Sequence, residues 1–159
     1  MAKIFLTFVI FFGSYLSADE LMAAVKSEYR DPENIIRDEF RNPYETLTFF
    51  GIEPSMKVVE LSPGGGWYTE ILATYLNNSG ELIAAHFDKN SNSNFLKKIR
   101  KNFEKKMDSN SIYEGVKIVD LTSGLTEPRS ADAVLTFRNL HNWLAVSYTH
   151  LTLPTIITV

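Results

Sequence analysis

The 159-residue chain is 45% hydrophobic and 22% charged, the balance of a globular chain with one core rather than a disordered one. Its formal charge of −3 argues against a general nucleic-acid surface. The lack of cysteine excludes disulfides, thiolate zinc sites and thiol nucleophiles. At the N-terminus, Lys3 precedes the apolar run Ile4–Leu16, and Ser17-Ala18 then meets acidic Asp19-Glu20. This reads as a secretory signal peptide over residues 1–18. The run is short for a membrane span of about 20 residues. The mature chain is therefore expected to be exported, periplasmic in a bacterium, and free of the membrane after cleavage.

Residues 19–55 read as N-terminal helices, amphipathic from Leu21 to Phe50. Asp31-Pro32-Glu33 is a helix start, with Asp as cap and Pro in the first turn. Asn42-Pro43-Tyr44-Glu45 starts another helix in the same way, and Gly51 closes it. Residues 56–144 then alternate strand and helix, which implies a parallel sheet. The strands are Lys57–Leu61, Glu81–Phe87, Val116–Asp120 and Ala131–Phe137. One helix runs from about Tyr68 to Leu76, with Trp67, Ile71 and Leu72 on one face. A second runs from Asn94 to Met107, with Phe95, Ile99, Phe103 and Met107 at i, i+4 spacing. Lys97, Lys98, Arg100, Lys101, Lys105 and Lys106 fall outside that stripe and read as a solvated face.

The segment Ser62-Pro63-Gly64-Gly65-Gly66 joins the first strand to its helix. Ligands in open parallel sheets bind beyond the carboxyl ends of strands, and glycine lets a ligand approach the backbone. The segment is not a phosphate loop, because Trp67-Tyr68 stand where Lys-Ser/Thr is needed. It lacks the offsets of G-x-G-x-x-G, which disfavours a nicotinamide-dependent oxidoreductase. Glu60 is placed to accept hydrogen bonds from the turn amides or from a ligand.

Glu60 followed by the turn, with Ser62 at the first glycine position, resembles motif I of class I S-adenosylmethionine-dependent methyltransferases. The resemblance covers Arg37 to Trp143 and is closest to a family of exported, predicted methyltransferases. Its four segments stand at Arg41–Ile52, Val58–Ala73, Ala84–Asp88 and Leu135–Trp143. The implied fold is a Rossmann-like α/β sheet of order 3-2-1-4-5-7-6 with N-terminal helices, here truncated after the fourth strand. The implied cofactor is S-adenosylmethionine, held by Glu60, Gly64, Gly65 and Gly66. The place of the usual ribose-binding acid falls on His86, with Asp88 two residues on and on the same strand face. Asp120 stands where the family contacts the adenine amino group, or is a strand-end turn residue.

The end of strand four faces substrate in such enzymes. Here Arg138 could bind a carboxylate or phosphate, His141 could act as general base, and Asn139 and Asn142 could orient a substrate. The plainer readings are an ion pair of Arg138 with the N-terminal helices and a helix cap by His141. Trp67 and Tyr68 either line the pocket or belong to the core. No histidine spacing favours a metal.

Ala145–Val159 has no charge and no helical period, and AVSYTHLTLPT resembles one translated frame of a transposase-type sequencing adapter. Residues 145–159 are therefore expected to be an adapter-derived tail and the chain an N-terminal fragment, binding cofactor weakly and inactive as written. The expected function of the complete protein is methyl transfer to an unknown small molecule. The alternative is an exported, non-enzymatic binding protein that reuses the fold.

Overall fold

The computed structural model describes residues 18–141 and 143. The signal-peptide reading, Asn142 and the adapter-like tail lie outside them. In chain order the elements are helix α1 over residues 18–25, α2 (Pro32–Ile35), α3 (Asp38–Arg41), α4 (Pro43–Phe49), β1 (Lys57–Leu61), α5 (Trp67–Leu76), β2 (Glu81–His86), α6 (Asn94–Met107), a 3-10 turn (Ser111–Tyr113), β3 (Val116–Asp120) and β4 (Ala133–Leu135). The four strands form one parallel sheet in the order β3-β2-β1-β4. This is an open, all-parallel α/β sheet compatible with a Rossmann-like fold, and β4 is an edge strand among the described residues.

The central strand explains the layering. In β1, Val58 and Glu60 alternate with Val59 on opposite faces, and all three are buried. On one face Val58, Leu82, Ala84 and Leu135 pack against Ile71, Leu72 and Leu76 of α5 and Phe103 and Met107 of α6. On the other, Val59, Ile83 and Ala85 form a smaller cluster with Leu121, Leu125 and Ala131. Two crossovers carry helices on the first face. The third, residues 121–132, returns the chain past β1 and covers the second face without a helix.

The N-terminal region breaks into shorter helices than its apolar pattern predicts. Pro32 and Pro43 supply no backbone N–H, and each stands at the first turn of its helix. The Asp31 side chain caps α2 by accepting from the Glu33 amide, whereas Asn42 makes no side-chain cap bond and adopts φ 43°. The end of α4 is closed as expected: the Gly51 and Ile52 amides donate to the Thr48 and Leu47 carbonyls, a Schellman arrangement. Buried Arg30 stitches the turns together, donating to the Val25 carbonyl at 2.5 Å and to both Asp38 oxygens at 2.6 and 2.8 Å. The region docks on α5 through the Trp67 indole, which donates to the Asn34 carbonyl at 2.8 Å. Asn34 and Lys106 in turn donate to buried Glu70 at 2.8 and 2.6 Å.

Three expectations are corrected. Phe95 does not join the α6 stripe; it is 69% exposed, and the buried face is Arg100, Phe103 and Met107. Nor are all the α6 cations solvated. Arg100 is buried and donates to Glu104, to the Phe87 carbonyl and to Asp120, while Lys106 pairs with Glu70. Strand β4 is shorter than Ala131–Phe137: at one end a single backbone bond from the Asp132 amide to the Lys57 carbonyl is joined by a side-chain bond, and at the other a side chain takes the place of the ladder. Asp132 accepts from the Lys57 amide at 2.7 Å, and the Thr136 hydroxyl donates to the Leu61 carbonyl at 3.0 Å. No helix among the described residues is long and apolar enough to cross a membrane.

Candidate functional site

The order β3-β2-β1-β4 reverses direction between β1 and β4, since the chain moves outward from β1 to β3 and then crosses back. In open α/β sheets the crevice at such a reversal, beyond the carboxyl strand ends, is where ligands bind. Here that crevice is a cleft of about 240 Å³. Its floor is the turn Ser62–Gly65 after β1, and one wall is Phe137, Arg138 and Asn139 after β4. The opposite wall comes from Asn34, Arg37 and Arg41 of the N-terminal helices, with Trp67 behind. A larger cavity of about 370 Å³ lies between α1 and the C-terminal end of α5. It is remote from the strand ends and from the glycine turn, so the smaller cleft is the better candidate.

The three glycines of the turn divide two tasks. Gly66 has φ 84°, and a Cβ there would stand 3.1 Å from the Phe103 ring, so only glycine fits where the chain enters α5. At Gly64 and Gly65 a Cβ would meet nothing within 4 Å. Those positions face open space, and their lack of side chain leaves the backbone accessible to a ligand.

Glu60 does not reach the cleft. It is 2% exposed, and its carboxylate accepts from the Thr69 hydroxyl at 2.6 Å rather than from the turn amides. Burial pushes its pKa from 4.5 to about 7, against the opposing effect of the Thr69 hydrogen bond. Glu60 therefore fastens the start of α5 to β1. Thr69, in the first turn of α5, carries no mark in the sequence that would single it out for this.

His86 also lies beneath the turn. It is fully buried, its Nδ1 accepts from the Phe87 amide at 2.7 Å, and its Nε2 lies 3.0 Å from the Gly64 carbonyl. An acceptor at Nδ1 assigns the proton to Nε2, which donates to Gly64. Burial, the largest effect, and the Arg100 charge lower its pKa, while the Gly64 bond raises it. The neutral ring is thus a prop for the glycine turn, and both its nitrogens are used inside the protein. In this arrangement neither nitrogen is free for the ribose that the resemblance implies.

The remaining expected residues divide. Asp88 is partly exposed just after β2 and accepts from the Asn90 amide at 2.7 Å. Asp120 is held by Arg100 at 2.9 Å, and its carbonyl accepts from Ser123 in a turn. Asn139 lines the cleft, but its amide is spent donating to the Ser62 carbonyl and the Thr136 hydroxyl, both at 3.0 Å. Its backbone carbonyl accepts from the Trp143 amide at 3.0 Å, so the turn after β4 starts at Asn139 rather than at His141. His141 is exposed and does not line the cleft. Arg138 does line it, with φ 62°, and stands near Arg41 and Arg37 rather than near an acid. Trp67 and Tyr68 are buried; Tyr68 stacks on Phe137 at 3.5 Å, and the Arg41 guanidinium lies 4.5 Å from the Trp67 ring centroid.

Sequence reasoning missed Arg37, Arg41 and the hydroxyl of Ser62. The two arginines are four residues apart beside the Asn42-Pro43 break, a readable signal for a shared side of a helical segment. Burial lowers the pKa of Arg41, and the charges of Arg37 and Arg138 lower it further. Among the described residues no group of three or more His, Asp or Glu side chains could hold a metal ion. Comparison with protein-family models finds no match, and comparison with curated proteins finds none either.

Proposed function

We propose that this chain carries the cofactor-binding sheet of a class I S-adenosylmethionine-dependent methyltransferase acting on a small molecule. The observation that carries the reading is the glycine turn at the end of central β1, opening on the cleft where the strand order reverses. The residues fit the cofactor at one end better than at the other. The exposed backbone at Gly64 and Gly65 suits the methionyl part, and Asp88 is the acid at the end of β2 that is open to a ribose. Glu60 and His86 act one layer below, holding the turn in shape. Asp120, tied to Arg100, helps through position rather than direct contact. S-adenosylmethionine supplies an electrophilic methyl group on its sulfonium. The chain's part is to hold donor and acceptor in line and keep water out. The proposed setting, an exported and periplasmic protein, rests on the leader-like residues 1–18.

A second reading, a non-enzymatic binding protein on the same fold, is favoured by one observation: a buried histidine occupies the usual place of the ribose-binding carboxylate. Calorimetric titration of the whole chain with S-adenosylmethionine separates the two. The methyltransferase reading expects saturable binding, abolished by Gly65→Val. A Cβ at Gly65 meets nothing within 4 Å, and the added side chain would occupy the cleft floor. A folded chain that does not bind S-adenosylmethionine overturns the first reading in favour of the second.

A further inference from the structure

We infer that the cleft between β1 and β4 is built for an oxyanionic small molecule, a carboxylate or phosphate. On the methyltransferase reading, on which this assignment of role rests, that molecule is the methyl acceptor. Arg37, Arg41 and Arg138 all line the cleft, and no aspartate or glutamate does. The nearby acid Asp38 is engaged with Arg30 at 2.6 Å. The three guanidiniums lie close enough for Arg37 and Arg138 to depress the pKa of Arg41. Arg41 is half-buried while Arg37 and Arg138 are exposed, and Asp38 offsets only part of their repulsion, so an anion that joins the three is favoured. Guanidinium groups match carboxylate and phosphate oxygens with paired hydrogen bonds.

The second observation is independent of charge. Ser62 is 5% exposed and lines the cleft, and its hydroxyl is buried without a hydrogen-bond partner. Buried hydroxyls are rarely left so, and an oxyanion beside the turn would accept its proton in a hydrogen bond. Ser62 and Arg138 also have φ of 54° and 62°, left-handed values unusual for residues other than glycine. Both strained residues stand on this cleft, where such strain is commonly kept for function.

The cofactor by itself does not account for the cleft. S-adenosylmethionine has one carboxylate set against an ammonium and a sulfonium, so it brings net positive charge. Three arginines facing it would be repelled overall. A second, anionic molecule balances them, with its oxyanion serving as the handle that is held.

Titrating the whole folded chain with inorganic phosphate and with acetate, at ionic strength held constant with chloride, tests this. Each titration is run with and without S-adenosylmethionine. The expected result is saturable binding of at least one anion, weakened about tenfold by Arg138→Gln and by Arg41→Gln and less by Ser62→Ala. Arg138 is exposed, so its variant remains informative even if Arg41→Gln, which loses a contact with Trp67, fails to fold. Arg138→Lys should recover part of the loss. Preference for phosphate assigns a phosphate ester, and preference for acetate a carboxylic acid. If neither anion binds, or if Arg138→Gln changes nothing, the inference is overturned, whether or not S-adenosylmethionine binds. Anion binding without S-adenosylmethionine binding supports the oxyanion site and overturns the methyltransferase reading alone.

Discussion

Replacing Glu60 by glutamine removes a buried acid while keeping its shape and its capacity to accept from Thr69. Glu60 is 2% exposed, with the Thr69 hydroxyl as donor at 2.6 Å, and burial outweighs that bond to bring its pKa from 4.5 to about 7. The folded chain thus keeps the proton over a range where the unfolded chain has lost it. Stability contributed by the neutral acid is complete below pH 4.5 and is lost as pH rises through about 7. At about 1.4 kcal/mol for each tenfold, the whole loss is about 3 kcal/mol, of which about 2.5 kcal/mol falls between about pH 5 and pH 9. His86 works in the opposite sense. Its lowered pKa withdraws stability as pH falls through its ordinary value of 6.5. The His86 contribution is common to wild type and Glu60→Gln, so it cancels in their difference. Urea unfolding followed by tryptophan fluorescence at the two pH values should show glutamine gaining on wild type by about 2.5 kcal/mol as pH rises. A difference that stays flat with pH would refute the argument that burial controls Glu60.

Three further outcomes follow from the same packing. Gly66→Ala, forced to φ 84° with its Cβ 3.1 Å from Phe103, should cost about 1–3 kcal/mol in thermal or urea unfolding; an unchanged midpoint would show that the turn can relax. His86→Asp loses the Nε2 donor to Gly64 and buries a carboxylate, so it should destabilise by about 2 kcal/mol or more. It should also weaken S-adenosylmethionine binding, and tighter binding in a direct titration would restore histidine 86 to the ligand's side of the turn. Arg100→Met strips donors from the Phe87 carbonyl and from Asp120, with an expected cost of about 2 kcal/mol. Chemical denaturation measures it, and near-neutral behaviour would mean that water or Lys side chains replace the guanidinium.

Periodic patterns were legible along the chain because they act locally. Lys57–Leu61, Val116–Asp120 and Asn94–Met107 have the bounds that their apolar runs and caps imply. The strand–glycine–helix unit pointed to the cleft, and alternation of strands with helices implied the parallel sheet. Burial of charged groups was not legible. Nothing in a lysine-rich helix marks Arg100 as the cation that turns inward; that depends on the Phe87 carbonyl and Asp120 meeting it from other strands. Glu60 and His86 were readable as residues near strand ends. Their assignment below the turn depends on which face of the sheet α5 and α6 cover. The arginine triad is the furthest from any local signal, since Arg37 and Arg41 meet Arg138 across about 100 positions of sequence. Secondary structure and the likeness of the turn are written in near neighbours. Protonation, burial and the charge of the cleft arise only when the crossovers bring distant residues together.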